Sequence, residues 1–133
     1  MEQMLKFSSD LKNLNIAESI LDSISVQNNL NDLIYGNILI ALNEAISNAI
    51  VHGNKFSKDK EVTVAYNISD NKRLIVSVQD EGNGFDYQLV PDPTDPKNIE
   101  KLNGRGVFLI QSLADEVSYL SKGKVVKMVF NLN

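Results

Sequence analysis

Cysteine is absent from this chain, and histidine occurs once, as His52. Without thiols there is neither a disulfide framework nor a thiolate metal site. A single imidazole excludes multi-histidine zinc centres. Basic residues are the minority: 13 Lys and Arg against 17 Asp and Glu leave a formal net charge of −4. Nothing in such a chain tracks a phosphate backbone, which excludes DNA or RNA as the main electrostatic partner. Long apolar runs are missing as well. The longest, residues 38–51, is interrupted by Asn43, Glu44, Ser47 and Asn48, so we expect no membrane span. The first residues lack the basic-then-apolar pattern of a secretory signal, and the expectation is a cytoplasmic protein.

What remains is ordinary for a globular domain. The chain has 133 residues, 43% hydrophobic and 23% charged, which is about one domain's worth. With no internal repeat and no linker, we expect one domain over residues 1–133. Residues 5–7 form a possible short edge strand. Asp10 is placed to cap a helix over about residues 11–28, with Leu14, Ala17, Ile20, Leu21 and Ile24 at three- and four-residue spacing. After a break at residues 28–32, a second helix runs over about residues 33–51 and stops at His52-Gly53-Asn54, where glycine can supply a left-handed cap. The period then changes to two. Residues 61–68 and 73–80 alternate as a strand pair joined by a turn at residues 70–72. Residues 86–103 have no period and hold all three prolines, Pro91, Pro93 and Pro96, so they read as a long loop. A helix over about residues 106–116 and a last hairpin, residues 117–120 and 125–132 around Gly123, close the chain. The pattern predicts an α+β two-layer sandwich: a mixed, mostly antiparallel sheet with helices on one face.

Three places can carry chemistry. Gly82 and Gly84 follow a strand, and Gly104-Arg105-Gly106 precedes a helix. Glycines there let backbone approach a ligand, and a helix start offers free N–H groups to an anion; the same glycines also serve as plain tight turns. Glu44 and Asn48, four residues apart on the second helix, project from one face. The opposite stripe is Ile38, Leu42, Ala45, Ile46, Ala49 and Ile50, yet Ile40 and Val51 fall near the polar pair. That pair reads either as the floor of a partly apolar cavity or as a solvated face. An amide oxygen suits Mg²⁺ when phosphates supply the other ligands, and a carboxylate suits a general base. Asp80 ends a strand, where it can accept from the exocyclic amine of a base. His52, near a helix end, is better suited to interacting with the helix dipole than to catalysis.

Taken in order, Asn43-Glu44-Ala45-Ile46-Ser47-Asn48-Ala49-Ile50-Val51-His52-Gly53, then Asp80-Glu81-Gly82-Asn83-Gly84-Phe85, then Asn103-Gly104-Arg105-Gly106-Val107-Phe108 resemble the motifs of the Bergerat-type ATP-binding fold shared by gyrase, the heat-shock chaperone, histidine kinases and the mismatch-repair ATPase. Within that superfamily the chain looks most like the stand-alone anti-sigma-factor serine/threonine kinases (RsbW-like), over almost its whole length. The resemblance implies ATP or ADP with Mg²⁺ as ligands, Asn48 as the Mg²⁺ ligand, Glu44 as general base and Asp80 as the partner of the adenine amine. It further implies that Gly82, Gly84 and Phe85 shape the base pocket, and that Gly104, Arg105, Gly106 and Val107 close on the phosphates under a lid formed by residues 86–103. Arg105 serves either the γ-phosphate or a partner surface. By the same resemblance, the partners are a STAS-type anti-anti-sigma protein, a sigma factor and a second copy of the chain. One departure stands out: relatives often carry threonine after the glycine of the last hairpin, where it contacts adenine through water, and here Gly123 is followed by Lys124.

Overall fold

The computed structural model describes residues 2–70, 72–82 and 109–132. Strand β1 (Gln3–Ser8) leads through a 3-10 turn (Leu11–Leu14) into helix α1 (Asn15–Asn28) and helix α2 (Asp32–Asn48), which a π turn (Ala49–Gly53) extends; strands β2 (Glu61–Ile68), β3 (Arg73–Gln79), β4 (Glu116–Leu120) and β5 (Val125–Asn131) follow. The helical signals act as expected at their starts. Asp10 accepts from the Lys12 amide at 3.0 Å, although it caps the 3-10 turn rather than α1 itself. Asn31 accepts from the Ile34 amide at 2.8 Å and caps α2. Between the helices Asn29 supplies a left-handed residue with φ 49°. The helix expected to run to residue 116 ends earlier: residues 109–113 are helical and Glu116 already opens β4.

The five strands are ordered β1-β2-β3-β5-β4, and every described pairing is antiparallel. The sheet expected to be mixed, mostly antiparallel is thus purely antiparallel among the described residues. Its register places Phe7 opposite Val62, Val64 opposite Val78, and Val76 opposite Met128. Period-two alternation therefore puts Val62, Val64, Leu74, Val76, Val78, Met128 and Phe130 on one face, all buried. Against that face lie Ala17, Ile20, Leu21 and Ile24 of α1 and Ile38, Leu42, Ala45 and Ile46 of α2, in one continuous core. Tyr35 of α2 also donates to Asp22 of α1 at 2.8 Å, which raises the tyrosine pKa because the carboxylate stabilises the protonated phenol.

Helix α2 with its π turn is long and apolar enough by composition to cross a membrane. Here its apolar stripe is core: Ile38, Leu42, Ile46 and Ile50 are each at most 1% exposed. Leu42→Ala should therefore lower unfolding free energy by about 2–5 kcal/mol, the cost of a cavity at a fully packed site. Urea denaturation followed by circular dichroism measures it.

Candidate functional site: a buried carboxylate at the end of α2

Among the described residues three polar side chains are buried, Ser9, Asn54 and Asp80, and all three belong to one place. It lies where α2 ends and where β2 and β3 part. Helix α2 does not stop at a left-handed glycine. Gly53 has no positive φ; the left-handed residues are Lys55 (φ 52°) and Phe56 (φ 60°), further on. What ends the helix is a widened turn, in which the Asn54 amide donates five residues back to Ala49 O at 2.7 Å. Such π turns recur at functional sites because they re-aim the residues around them.

Glycine is required at position 53 for space. A Cβ there would lie 2.3 Å from both Cγ and Oδ2 of Asp80. At Gly82 a Cβ would lie 2.1 Å from the Gly53 carbonyl oxygen. Asp80 is thus seated in the gap that a missing side chain leaves. Its own amide donates to Lys124 O at 3.0 Å, and its Oδ1 accepts from the Gly82 amide at 2.7 Å. Oδ1 is held by the turn it begins. Burial pushes the Asp80 pKa above the ordinary carboxylate value; the Gly82 amide and the charges of Lys124 and Lys60 oppose that rise without cancelling it. Lys124, at the position where threonine was expected, therefore contributes a backbone acceptor and a nearby positive charge.

Glu44 and Asn48 lie one helical turn apart on α2, both half-buried, while Ala45, Ile46, Ala49 and Ile50 between and beside them are buried. Their side is neither core nor fully solvated. Ile40 on that side is exposed and Val51 half-buried; His52 is exposed. A single π turn separates Asn48 from Gly53, and so Glu44 and Asn48 stand on the helix whose end seats Asp80. The structure brings Asp80 and Gly82 together with Gly53. Gly84, Phe85, Gly104, Arg105, Gly106 and Val107, and the loop over residues 86–103, lie outside the described residues.

The residues present suit an adenine nucleotide. A buried carboxylate with one oxygen tied down can accept from an exocyclic amine, and a half-buried amide next to a carboxylate offers hard oxygen donors to Mg²⁺. Sequence reasoning missed Asn54 and Ser9, whose roles arise from long-range hydrogen bonds. It also misassigned the reason for Gly53.

Sheet and helical layer together define a two-layer α+β domain. Comparison with known proteins makes this specific. A family model described as the histidine kinase-like ATPase domain matches residues 7–130, and the chain belongs to that family. It is 36% identical over 101 residues to the serine-protein kinase RsbW of Listeria innocua, an alignment covering 71% of this chain and 64% of that protein. It is likewise 36% identical over 100 residues to RsbW of Staphylococcus epidermidis, covering 68% and 61%. The chain thus spans a little under two thirds of the length of the curated relatives it matches. The fold is also that of the RsbU and RsbW domains of a Mycobacterium tuberculosis protein (TM-score 0.70, 15% identity, 99% of this chain and 32% of that one). A histidine kinase domain of Erythrobacter litoralis shares it too (TM-score 0.55, 22% identity, 92% and 60%).

Two expectations test the pocket. Gly53→Ala should destabilise the wild-type chain by about 1–3 kcal/mol through overpacking. In an Asp80→Ala background, which removes the atoms the new methyl would strike, that cost should largely vanish. A double-mutant cycle in urea reads the coupling. The second concerns pH. Because Asp80 titrates higher when folded, its burial costs stability above the raised value, and that cost is relieved as pH falls toward the ordinary 3.8. The ionised form accepts more strongly from an adenine amine than the neutral acid does, so nucleotide affinity should fall over the same window. Calorimetric titrations down the pH scale should show binding weakening while this group's contribution to apo stability rises, and Asp80→Asn should remove both trends.

Proposed function

We propose that this chain is an ATP-dependent serine/threonine protein kinase of the anti-sigma type, acting in the cytoplasm as a homodimer. Its substrate is a hydroxyl of a STAS-type anti-anti-sigma protein, and in the unphosphorylated partner's absence it sequesters a sigma factor. The observation that carries the reading is the intact Glu44 one turn before Asn48, on the helix whose end seats Asp80. The names of the relatives support it, since they are serine-protein kinases.

In this reading each described residue has a distinct task. Asp80 accepts from the adenine amine, and Gly53 and Gly82 leave the room in which its carboxylate is seated. Asn48 would hold Mg²⁺ through its amide oxygen, and the ion supplies charge neutralisation at the phosphates. Glu44 takes the proton of the partner's hydroxyl as that oxygen accepts the γ-phosphoryl group and ADP departs, with catalysis resting on positioning and charge. Phosphate added to the partner's contact surface then drives the complex apart by repulsion and desolvation. The net charge of −4 is no obstacle, because the triphosphate is handled by local groups.

Incubation with labelled ATP, Mg²⁺ and a STAS partner should transfer label to the partner. Glu44→Gln should still bind ATP and lose about 10²–10⁴-fold in transfer rate, the usual worth of a general base. Tight nucleotide binding by wild type with no label transferred would instead identify a nucleotide-dependent binding module.

A further inference from the structure

The antiparallel ladder between β2 and β3 ends at Thr63 opposite Gln79. Continued by two residues, the same register would set Glu61 opposite Glu81. The strands do not pair there. The Asn54 side chain stands between them: its Oδ1 accepts from the Glu81 amide at 2.7 Å and its Nδ2 donates to Glu61 O at 3.1 Å. A side-chain amide has the same donor and acceptor as a peptide, so it can stand in for the missing rung while holding the strands further apart. Nδ2 also donates to Ser9 Oγ at 2.8 Å, and that hydroxyl donates to Lys60 O at 2.6 Å. The Glu81 carboxylate folds back to accept from the Glu61 amide. Asn54 is 1% exposed, and its amide group is satisfied on both sides.

The wedge sits beside the pocket. Asp80 lies between Gln79, the last paired residue, and Glu81, whose amide Asn54 holds. The residue before Asn54 is Gly53, against which the Asp80 carboxylate is seated. The sheet fixes Asp80 from one side, through Lys124 O. Nothing in the ladder fixes the peptide that follows it.

We propose that Asn54 is a positioning residue for base recognition: by replacing the next rung of the β2–β3 ladder, it splays the two strands and fixes the Asp80–Gly82 turn so that the carboxylate meets the exocyclic amine of a purine. This rests on the reading of Asp80 as the adenine acceptor. Its consequence is specificity rather than affinity for phosphate. A fixed carboxylate accepts from adenine and repels the carbonyl oxygen that guanine presents at the same position, whereas a loose one accommodates both.

The experiment compares ATP and GTP affinity, by competition with a fluorescent nucleotide, for the wild-type chain, Asp80→Asn, Asn54→Ala and the core variant Leu42→Ala. All are measured well below their melting temperatures. Asn54→Ala should lose about tenfold or more of the ATP preference, in keeping with the cost of leaving buried groups unpaired; Leu42→Ala should keep it despite its lower stability. A folded Asn54→Ala that keeps the wild-type preference overturns the proposal and leaves Asn54 with a structural role alone. A wild-type preference that Asp80→Asn does not disturb overturns the reading of Asp80, and the proposal with it. Hydrogen exchange on the wild-type chain needs no variant to fold. The Glu81 amide, although beyond the end of β3, should be protected like the β3 amides, and exchange at the rate of an open loop overturns the wedge.

Discussion

A carboxylate can be kept away from water only if its surroundings replace the hydrogen bonds it gives up, and at Asp80 this requirement shapes the whole end of the molecule. The Gly82 amide binds one oxygen, which forces the chain to turn immediately after β3. The turn needs room, so Gly53 and Gly82 carry no side chains where a Cβ would come within 2.3 Å of the carboxylate or 2.1 Å of backbone. Room also requires the strands to part, and Asn54 closes the gap with the two bonds a peptide would have made. The widened end of α2 follows from the same demand, because the segment carrying Gly53 and Asn54 has to reach under β3 rather than continue along the helix axis.

Helix α2 joins this end to the rest. One stripe supplies Ile38, Leu42, Ala45 and Ile46 to the core, and the other holds Glu44 and Asn48 half-buried. Packing against the sheet fixes the helix's rotation about its own axis. The same apolar contacts that stabilise the fold therefore set the direction in which the polar pair points. A side chain on a loop would have no such constraint.

Periodicity made most of this architecture legible in advance. The alternation of residues 61–68 matched β2 to the residue, and the stripes of both helices are buried apart from Leu14, which is half-buried in the 3-10 turn. These signals are local, repeated several times over within one element, and enforced by burial. Glu44 and Asn48 were set on the second helix and Asp80 at the end of a strand, and they lie there, on α2 and directly after β3. The misreading of Gly53 is instructive because two different physical needs, a positive φ and an absent Cβ, select the same amino acid. Only the neighbour across space, Asp80, separates them. Asn54 and Ser9 left no trace because asparagine and serine after a strand or helix look like ordinary turn residues. What distinguishes them is a bond to a residue 45 positions away. The same limit explains why the helix expected to reach residue 116 ends at residue 113: the strand that begins at Glu116 is set by pairing with β5, which outweighs local helical preference.

The bond from Asn54 to Ser9, and from Ser9 to Lys60 51 positions away, ties the end of the first strand to the pocket floor. In folding terms this pocket has a high contact order. Helices can form and the β2–β3 hairpin can close while the carboxylate cradle is still incomplete, because its last members, Ser9 and Lys124, come from distant parts of the chain. A nascent or partly unfolded chain can thus hold nearly all of its secondary structure and have no place for a base. A ligand that bound only the completed cradle would stabilise only the finished fold, so its binding would report on topology and not on secondary structure alone.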